Sequence, residues 1–161
     1  MDTIYRGCVI PADLHYHLEY DVWARFGRDD EVTLGMTDMA QTASGKLMHI
    51  SFKMPGKTVR SGGSAATIES AKWVGPFRMP FDAEILANNR LAFDADVLAA
   101  NRDPYGEGWL VRVRPPEAQL AQESLHSGAE AIALLKQQID TNEIRCFRCV
   151  DEAVPGGNDD N

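Results

Sequence analysis

The chain has 161 residues and a formal net charge of -8, with 44% hydrophobic and 25% charged residues. That composition is ordinary for a globular domain with a core of its own plus extensions. The acidic balance argues against nucleic acid as a partner, since phosphate binding needs a basic face. No apolar run reaches the roughly 20 residues of a membrane helix. The start Met1-Asp2-Thr3-Ile4-Tyr5-Arg6 has no basic region leading into an apolar stretch, which predicts a cytoplasmic chain without a secretory signal.

Residues 4 to 10 alternate loosely and read as an edge strand ended by Pro11. Asp13 to His17 reads as a turn. Asp21 to Phe26 reads as a strand with Val22, Ala24 and Phe26 on one face, and Glu31 to Gly35 as its return across Gly27-Arg28-Asp29-Asp30. Thr37 has the character of an N-cap for a short helix through Ser44, with Asp38 in the first turn and Gly45 as the stop. Lys46 to Phe52, Thr58-Val59, the two arms around Lys72, Asp82 to Ala87 and Gly108 to Arg114 read as strands.

Leu91 to Ala100 reads as a short helix, Asp103-Pro104-Tyr105-Gly106 as a turn, and Glu117 to Ala121 as one helical turn. A longer helix is predicted over 128–140. Ser127 and Glu130 have capping-box spacing, and Ala131, Leu134, Leu135 and Gln138 form one mostly apolar face. Many short strands with Gly and Pro turns imply a β-sandwich or flattened barrel. Residues 151–161 are small, polar and acidic, which predicts a disordered tail.

Thr67-Ile68-Glu69-Ser70-Ala71-Lys72-Trp73-Val74-Gly75-Pro76 reads as strand, tight turn, strand, with Lys72 at or beside the tip. Taken alone, a tip lysine is ordinary solvated surface. Glu69-Ser70-Ala71-Lys72, however, resembles the E-S-x-K lipoylation hairpin of the glycine cleavage H-protein family. Gly35-Met36-Thr37-Asp38-Met39-Ala40-Gln41 is similar to its G-I-T-D-x-A-Q segment, and Asn101 to Leu110 is similar to its N-x-D-P-Y-G-E-G-W-L segment. The three blocks stand in the family's order and cover about residues 22–113.

The resemblance implies a mainly β fold: a lipoyl-domain hammerhead sandwich of two antiparallel sheets with short helices and a C-terminal helix. It implies an N-terminal extension (1–20), a lipoyl domain (21–114), a C-terminal helical segment (115–150) and the tail (151–161). It also implies lipoic acid in amide linkage to Lys72, where the cofactor brings the reactive sulfur chemistry and the protein brings position and recognition. Biotin carriers flank their lysine with methionines, and here the neighbours are Ala71 and Trp73.

Glu69 either guides the attaching enzyme or keeps the hairpin edge soluble. Ser70 completes the hairpin flank. Trp73 either offers a surface to the dithiolane or packs inward, and the balance leans towards the core. The turn at Asp103 to Gly106 packs under the hairpin in the family.

The three cysteines, Cys8, Cys146 and Cys149, do not suggest a disulfide framework in a cytoplasmic chain. Cys8 reads as a small buried hydrophobe. Cys146 and Cys149 read as two thiols that help to pack the chain's end, with a redox or sulfur-handling role towards the arm as the alternative. His15 and His17 alternate on an extended segment, yet no ligand spacing with the cysteines supports a metal site. No nucleophile-and-base set, P-loop or dinucleotide fingerprint is present, so the chain reads as a carrier and not an enzyme.

Departures from the glycine cleavage pattern bear on the cargo. Asp21-Val22-Trp23-Ala24 stands where the family usually has H-E-W-V. The start Arg6 to Leu14 and the hairpin run Lys72-Trp73-Val74-Gly75-Pro76 resemble the H-protein-like lipoate-binding proteins of the heterodisulfide-reductase-like sulfur oxidation pathway. That resemblance implies a carrier relaying sulfur intermediates, and an arm that must stay accessible to several active sites predicts a monomer. Its partners would be a heterodisulfide-reductase-like complex, a dihydrolipoyl dehydrogenase and a lipoate-attaching enzyme. The alternatives are a glycine cleavage H protein carrying an aminomethyl group, and an unmodified docking module with Lys72 left bare.

Overall fold

The computed structural model describes residues 2–150. In chain order the elements are β1 (Thr3–Tyr5), β2 (Cys8–Ile10), β3 (His15–His17), β4 (Val22–Phe26), β5 (Val32–Met36), α1 (Asp38–Ser44), β6 (Leu47–Phe52), β7 (Thr58–Val59), β8 (Ser64–Ser70) and β9 (Val74–Arg78). There follow β10 (Ala83–Asn88), α2 (Arg90–Ala95), α3 (Ala99–Arg102), β11 (Val111–Arg114), α4 (Ala118–Glu123), β12 (His126–Ser127) and α5 (Gly128–Thr141).

A seven-stranded sheet runs β12-β3-β4-β5-β11-β10-β7, and a three-stranded sheet runs β6-β8-β9. All recorded pairings are antiparallel. Both sheets supply one core: Val22, Leu34, Val111 and Val113 from the larger, Ile50, Ile68 and Phe77 from the smaller. The alternation along β4 decides what lies on each side. Val22 and Ala24 enter that core, whereas Trp23 turns to a second one.

The second core is built by the chain's two ends. Ile10, Leu14 and Tyr16 from the N-terminal stretch meet Ala131, Leu135 and Ile139 from α5. Helical spacing therefore places α5 correctly, although Ile139 enters where Leu134 was expected to share the face, and Leu134 is only half-buried. The expected capping box does not form. Ser127 makes no side-chain cap, and Glu130 bonds His126 Nδ1 instead, at 3.1 Å. Gly128 at φ 63° bends the chain at that point.

Other local readings change at the ends of elements. The single N-terminal strand is a hairpin, β1-β2, turning at Arg6 (φ 49°) and Gly7 (φ 79°). The turn expected at Asp13 to His17 contains β3, which pairs with β4 and β12. The helix expected over 91–100 is two short helices, α2 and α3. The tail expectation, 151–161, lies outside the described residues.

Candidate functional site: the Lys72 hairpin and its support

β8 and β9 close the hairpin with Glu69 opposite Val74. Two residues, Ala71 and Lys72, bridge Ser70 and Trp73. Ser70 N donates to Trp73 O at 2.8 Å. Tight hairpin loops commonly need glycine or asparagine because they use left-handed backbone. Here neither Ala71 nor Lys72 is left-handed. The Ser70 hydroxyl provides the closure instead, accepting from Lys72 N at 3.2 Å and Trp73 N at 3.1 Å. A hydroxyl satisfying nearby main-chain groups is the serine turn device. Ser70 is buried, while Glu69 alternates outwards into water.

Lys72 is exposed and leans over the end of α1. A methyl group on Gly45 would sit 2.9 Å from Lys72 Cε. Gly45 also has φ 77°, a conformation that favours glycine. It caps α1 by donating its N–H to Gln41 O at 3.1 Å. Thr37 caps the other end as expected, accepting from Ala40 N.

Trp73 departs from the inward reading. It is 44% exposed, because the turn breaks strand alternation just where the indole leaves it. Its ring lies over Gly75, where a Cβ would come within 2.2 Å of Cζ2. The indole thus forms a wall of a cleft of about 510 Å³ that opens beside Lys72 and is also lined by Tyr20, Asp21, Ala43 and Arg78.

Sequence reasoning gave Asp21 no role. Its backbone is left-handed at φ 54°, its carbonyl accepts from Thr37 N at 3.2 Å, and burial pushes its carboxyl up to about 6. The available signal was its place in the run where the family usually has H-E-W-V.

The two other sequence blocks meet beneath α1. Asn101 is fully buried. Its Nδ2 donates to Gln41 Oε1 at 3.1 Å and Gly45 O at 2.9 Å, and its Oδ1 accepts from Leu47 N at 3.0 Å. Leu47 pairs with Ser70, so Asn101 is one strand away from the hairpin. Tyr105 OH accepts from Asp38 N at 2.8 Å and donates to Val9 O at 2.7 Å. Trp23 Nε1 donates to Pro104 O at 2.9 Å. The Asp103 to Gly106 turn therefore packs directly on α1 and Trp23, while Asn101, just before it, holds β6, the strand beside the hairpin.

The cysteines are the main correction. Cys8 and Cys146 form a disulfide across 138 residues, with Cα atoms 4.7 Å apart. Spacing in sequence carries no information about such a closure, which the packing of α5 on the N-terminal stretch creates. Only Cys149 remains a free thiol, and it is buried. Its segment is fastened to α1: Gln41 Nε2 donates to Phe147 O at 2.7 Å, Arg148 Nε pairs with Asp38 Oδ1 at 3.2 Å, and Cys149 N donates to Gln41 Oε1 at 3.3 Å. Burial pushes the Cys149 thiol up, while the Lys72 ammonium pulls it the other way.

His15 and His17 act as packing residues. His17 stacks on Tyr20 at 4.0 Å and His15 meets Phe26 edge-on at 5.0 Å. Burial lowers both imidazoles. Among the described residues no group of three or more His, Cys, Asp or Glu side chains is placed to hold a metal ion, and no helix is long and apolar enough to cross a membrane.

The family model described as Glycine cleavage H-protein matches residues 14–138. The chain belongs to the glycine cleavage H-protein family. Glycine cleavage system H protein 2 of Aquifex aeolicus is 41% identical, over 88% of this chain and 88% of that one. Probable glycine cleavage system H protein 2 of Saccharolobus solfataricus is 37% identical, over 91% and 99% respectively. The crystal structure of a glycine cleavage system H protein from Mycobacterium marinum superposes with a TM-score of 0.65 at 27% identity, covering 84% of this chain and all of that one. H proteins carry lipoic acid covalently on a lysine, serve as lipoyl carriers and not as catalysts, and meet lipoate-attaching and dihydrolipoyl dehydrogenase-like partners.

Proposed function

We propose that Lys72 is the lipoylated residue and that this H protein carries an aminomethyl group on the lipoyl sulfur, as in glycine cleavage. The observation behind the attachment site is the two-residue loop that Ser70 closes, which leaves the Lys72 amine exposed at the tip. Acylation removes the amine's charge and leaves a long flexible arm. The adjoining cleft, walled by Trp73 and lined by Asp21, is a place for that arm to rest between partners. Glu69, exposed one residue before Ser70, is the natural handle for the attaching enzyme. The lipoyl group supplies the sulfur chemistry, and the chain's own residues position the tether and shelter it.

The names of the relatives favour the aminomethyl cargo. A second reading, a relay of sulfur intermediates with a heterodisulfide-reductase-like complex, rests on two observations. The Arg6 to Leu14 start and the Lys72 to Pro76 run resemble that pathway's lipoate-binding proteins. In addition, the Aquifex aeolicus relatives are numbered copies, H proteins 2, 3 and 5 of one organism, more carriers than one glycine-cleaving system requires.

The test is the mass of the Lys72 peptide from protein purified from its native host without reductant. A lipoyl mass that gains an aminomethyl group with glycine and its decarboxylase supports the first reading. A lipoyl mass bearing extra sulfur, unresponsive to glycine, moves the assignment to the second. A bare Lys72 overturns both.

A further inference from the structure

The face of the small sheet turned away from the core changes character towards the Lys72 tip. Ser51, Thr67 and Pro76 form one cross-strand row on it, and His49, Glu69 and Val74 form the next, nearer the loop. Ser51, Thr67, His49 and Glu69 are exposed and polar, as a sheet face in water should be. Two apolar residues break that pattern beside the tip. Val74 is 64% exposed and Met48 is 61% exposed, and neither joins either core.

Strand alternation alone would not put Met48 there. β6 carries a bulge: Leu47 pairs with Ser70 and His49 with Glu69, so Met48 is an extra residue against one step of β8. Met48 and His49 are consecutive and both exposed, where a regular strand would turn one of them inwards. Bulges interrupt the ladder and are kept where a side chain has to be re-aimed. This one aims a methionine, an adaptable contact residue, outwards beside Ser70, which closes the loop. Lys72 leans over Gly45, two residues before β6 begins, so the lysine and Met48 flank the same short stretch of chain.

We propose that Met48 and Val74, with Glu69 on the strand between them, are the docking face for the lipoate-attaching enzyme. This rests on Lys72 being the attachment residue. The occupant follows from where each partner acts. An attaching enzyme must bring its reacting carbon to Nζ of Lys72 itself, so it has to lie against the surface immediately around the tip. A partner that works on the lipoyl sulfurs meets them at the far end of the arm and needs no contact here. A second copy of this chain is disfavoured by the net charge of -8 on each. The complementary surface is apolar, with a cation placed to meet Glu69. The apolar contact supplies affinity and the charge pair supplies orientation.

The experiment uses full-length protein made without lipoate and the host's lipoate-attaching enzyme, with lipoate and MgATP. Loading is followed by the mass of the Lys72 peptide over a range of carrier concentrations. Met48→Glu and Val74→Glu are each expected to raise KM for the carrier at least about tenfold, with kcat within about twofold of wild type. Met48→Ser shifts KM the same way by at least about threefold, and it keeps the test decisive if a glutamate variant does not fold. Met48→Leu restores wild-type loading. Leu120→Glu, at an exposed apolar residue of α4, leaves KM unchanged and controls for added charge.

A KM within about twofold of wild type in the Met48 and Val74 variants overturns the proposal and leaves the carrier reading intact. So does a fall in kcat at unchanged KM, or an equal rise in KM for Leu120→Glu. So does normal loading with slow reoxidation of the arm by dihydrolipoyl dehydrogenase, which would give the face to that partner. A wild-type Lys72 peptide that gains no lipoyl mass overturns the carrier reading and this one with it.

Discussion

The hairpin that presents Lys72 and the polar node beneath α1 are near neighbours built on opposite principles. The hairpin spends almost nothing on its exposed lysine. Lys72 is exposed and its loop is closed by Ser70 alone. The node buries Asp38, Gln41 and Asn101 and satisfies each with several partners. Buried polar groups cost little when fully paired and a great deal when one partner is lost. The proposed attachment residue thus sits where substitution is cheap, and the support sits where it is not.

The sharpest way to break this contrast is to change the tip. Lys72→Arg is expected to abolish loading completely, read by peptide mass, while unfolding free energy stays within about 0.5 kcal/mol. A large stability loss would show that the tip is part of the core. The converse change is Asn101→Ala, which takes the partner from Leu47 N and one of the partners each of Gly45 O and Gln41 Oε1. It should cost about 2–4 kcal/mol in denaturant unfolding, with Lys72 still loaded in the fraction that folds.

Cys8→Ser tests whether the second core depends on its bridge. The expected cost is about 2–4 kcal/mol, and wild-type protein under reductant should match the variant. Equal stability with and without the bridge would mean that α5 holds the chain's ends by packing alone.

Asp21 lies between the two regions and gives a pH-dependent test. Its carboxyl is raised from 3.8 to about 6 by burial. The native state therefore keeps a proton that the unfolded chain loses first, and stability falls as pH rises through about 4 to 6 and stays lower above it. Asp21→Asn retains tolerance of left-handed backbone. It should stabilise the protein at pH 7 by at most about 3 kcal/mol and change nothing near pH 3. The smallest effect is expected from Ser70→Ala, about 1 kcal/mol, accompanied by slower loading as the tip loosens. Unchanged loading would show that the attaching enzyme does not require a rigid loop.

Local physics made much of this molecule readable. The Thr37 cap, Asp38 in the first turn and the Gly45 stop are next-neighbour effects, and they place α1 correctly. Alternation along β4 and helical spacing in α5 do the same for Val22 and Leu135. The run from Glu69 to Lys72 marked the tip because its hydrogen bonds close within four residues. Ser127 and Glu130 had the spacing of a cap, but His126 took the glutamate, an outcome that short-range spacing does not encode. Trp73 was misplaced because alternation is a property of strands and it stands in the turn.

The sequence by itself determined the strands from β4 to β11, the short helix under the site, the exposed lysine and the family. Each follows from neighbours a few residues apart or from blocks of residues in order. Tertiary structure alone decided that Cys8 bonds Cys146 and that Cys149 stays free beside Lys72. It also decided that Asn101 ties α1 to the hairpin sheet and that Asp21 sits half-buried at the cleft. These are contacts between segments far apart in the chain, and they exist only once two sheets and α5 have closed around their cores and fixed which distant groups meet.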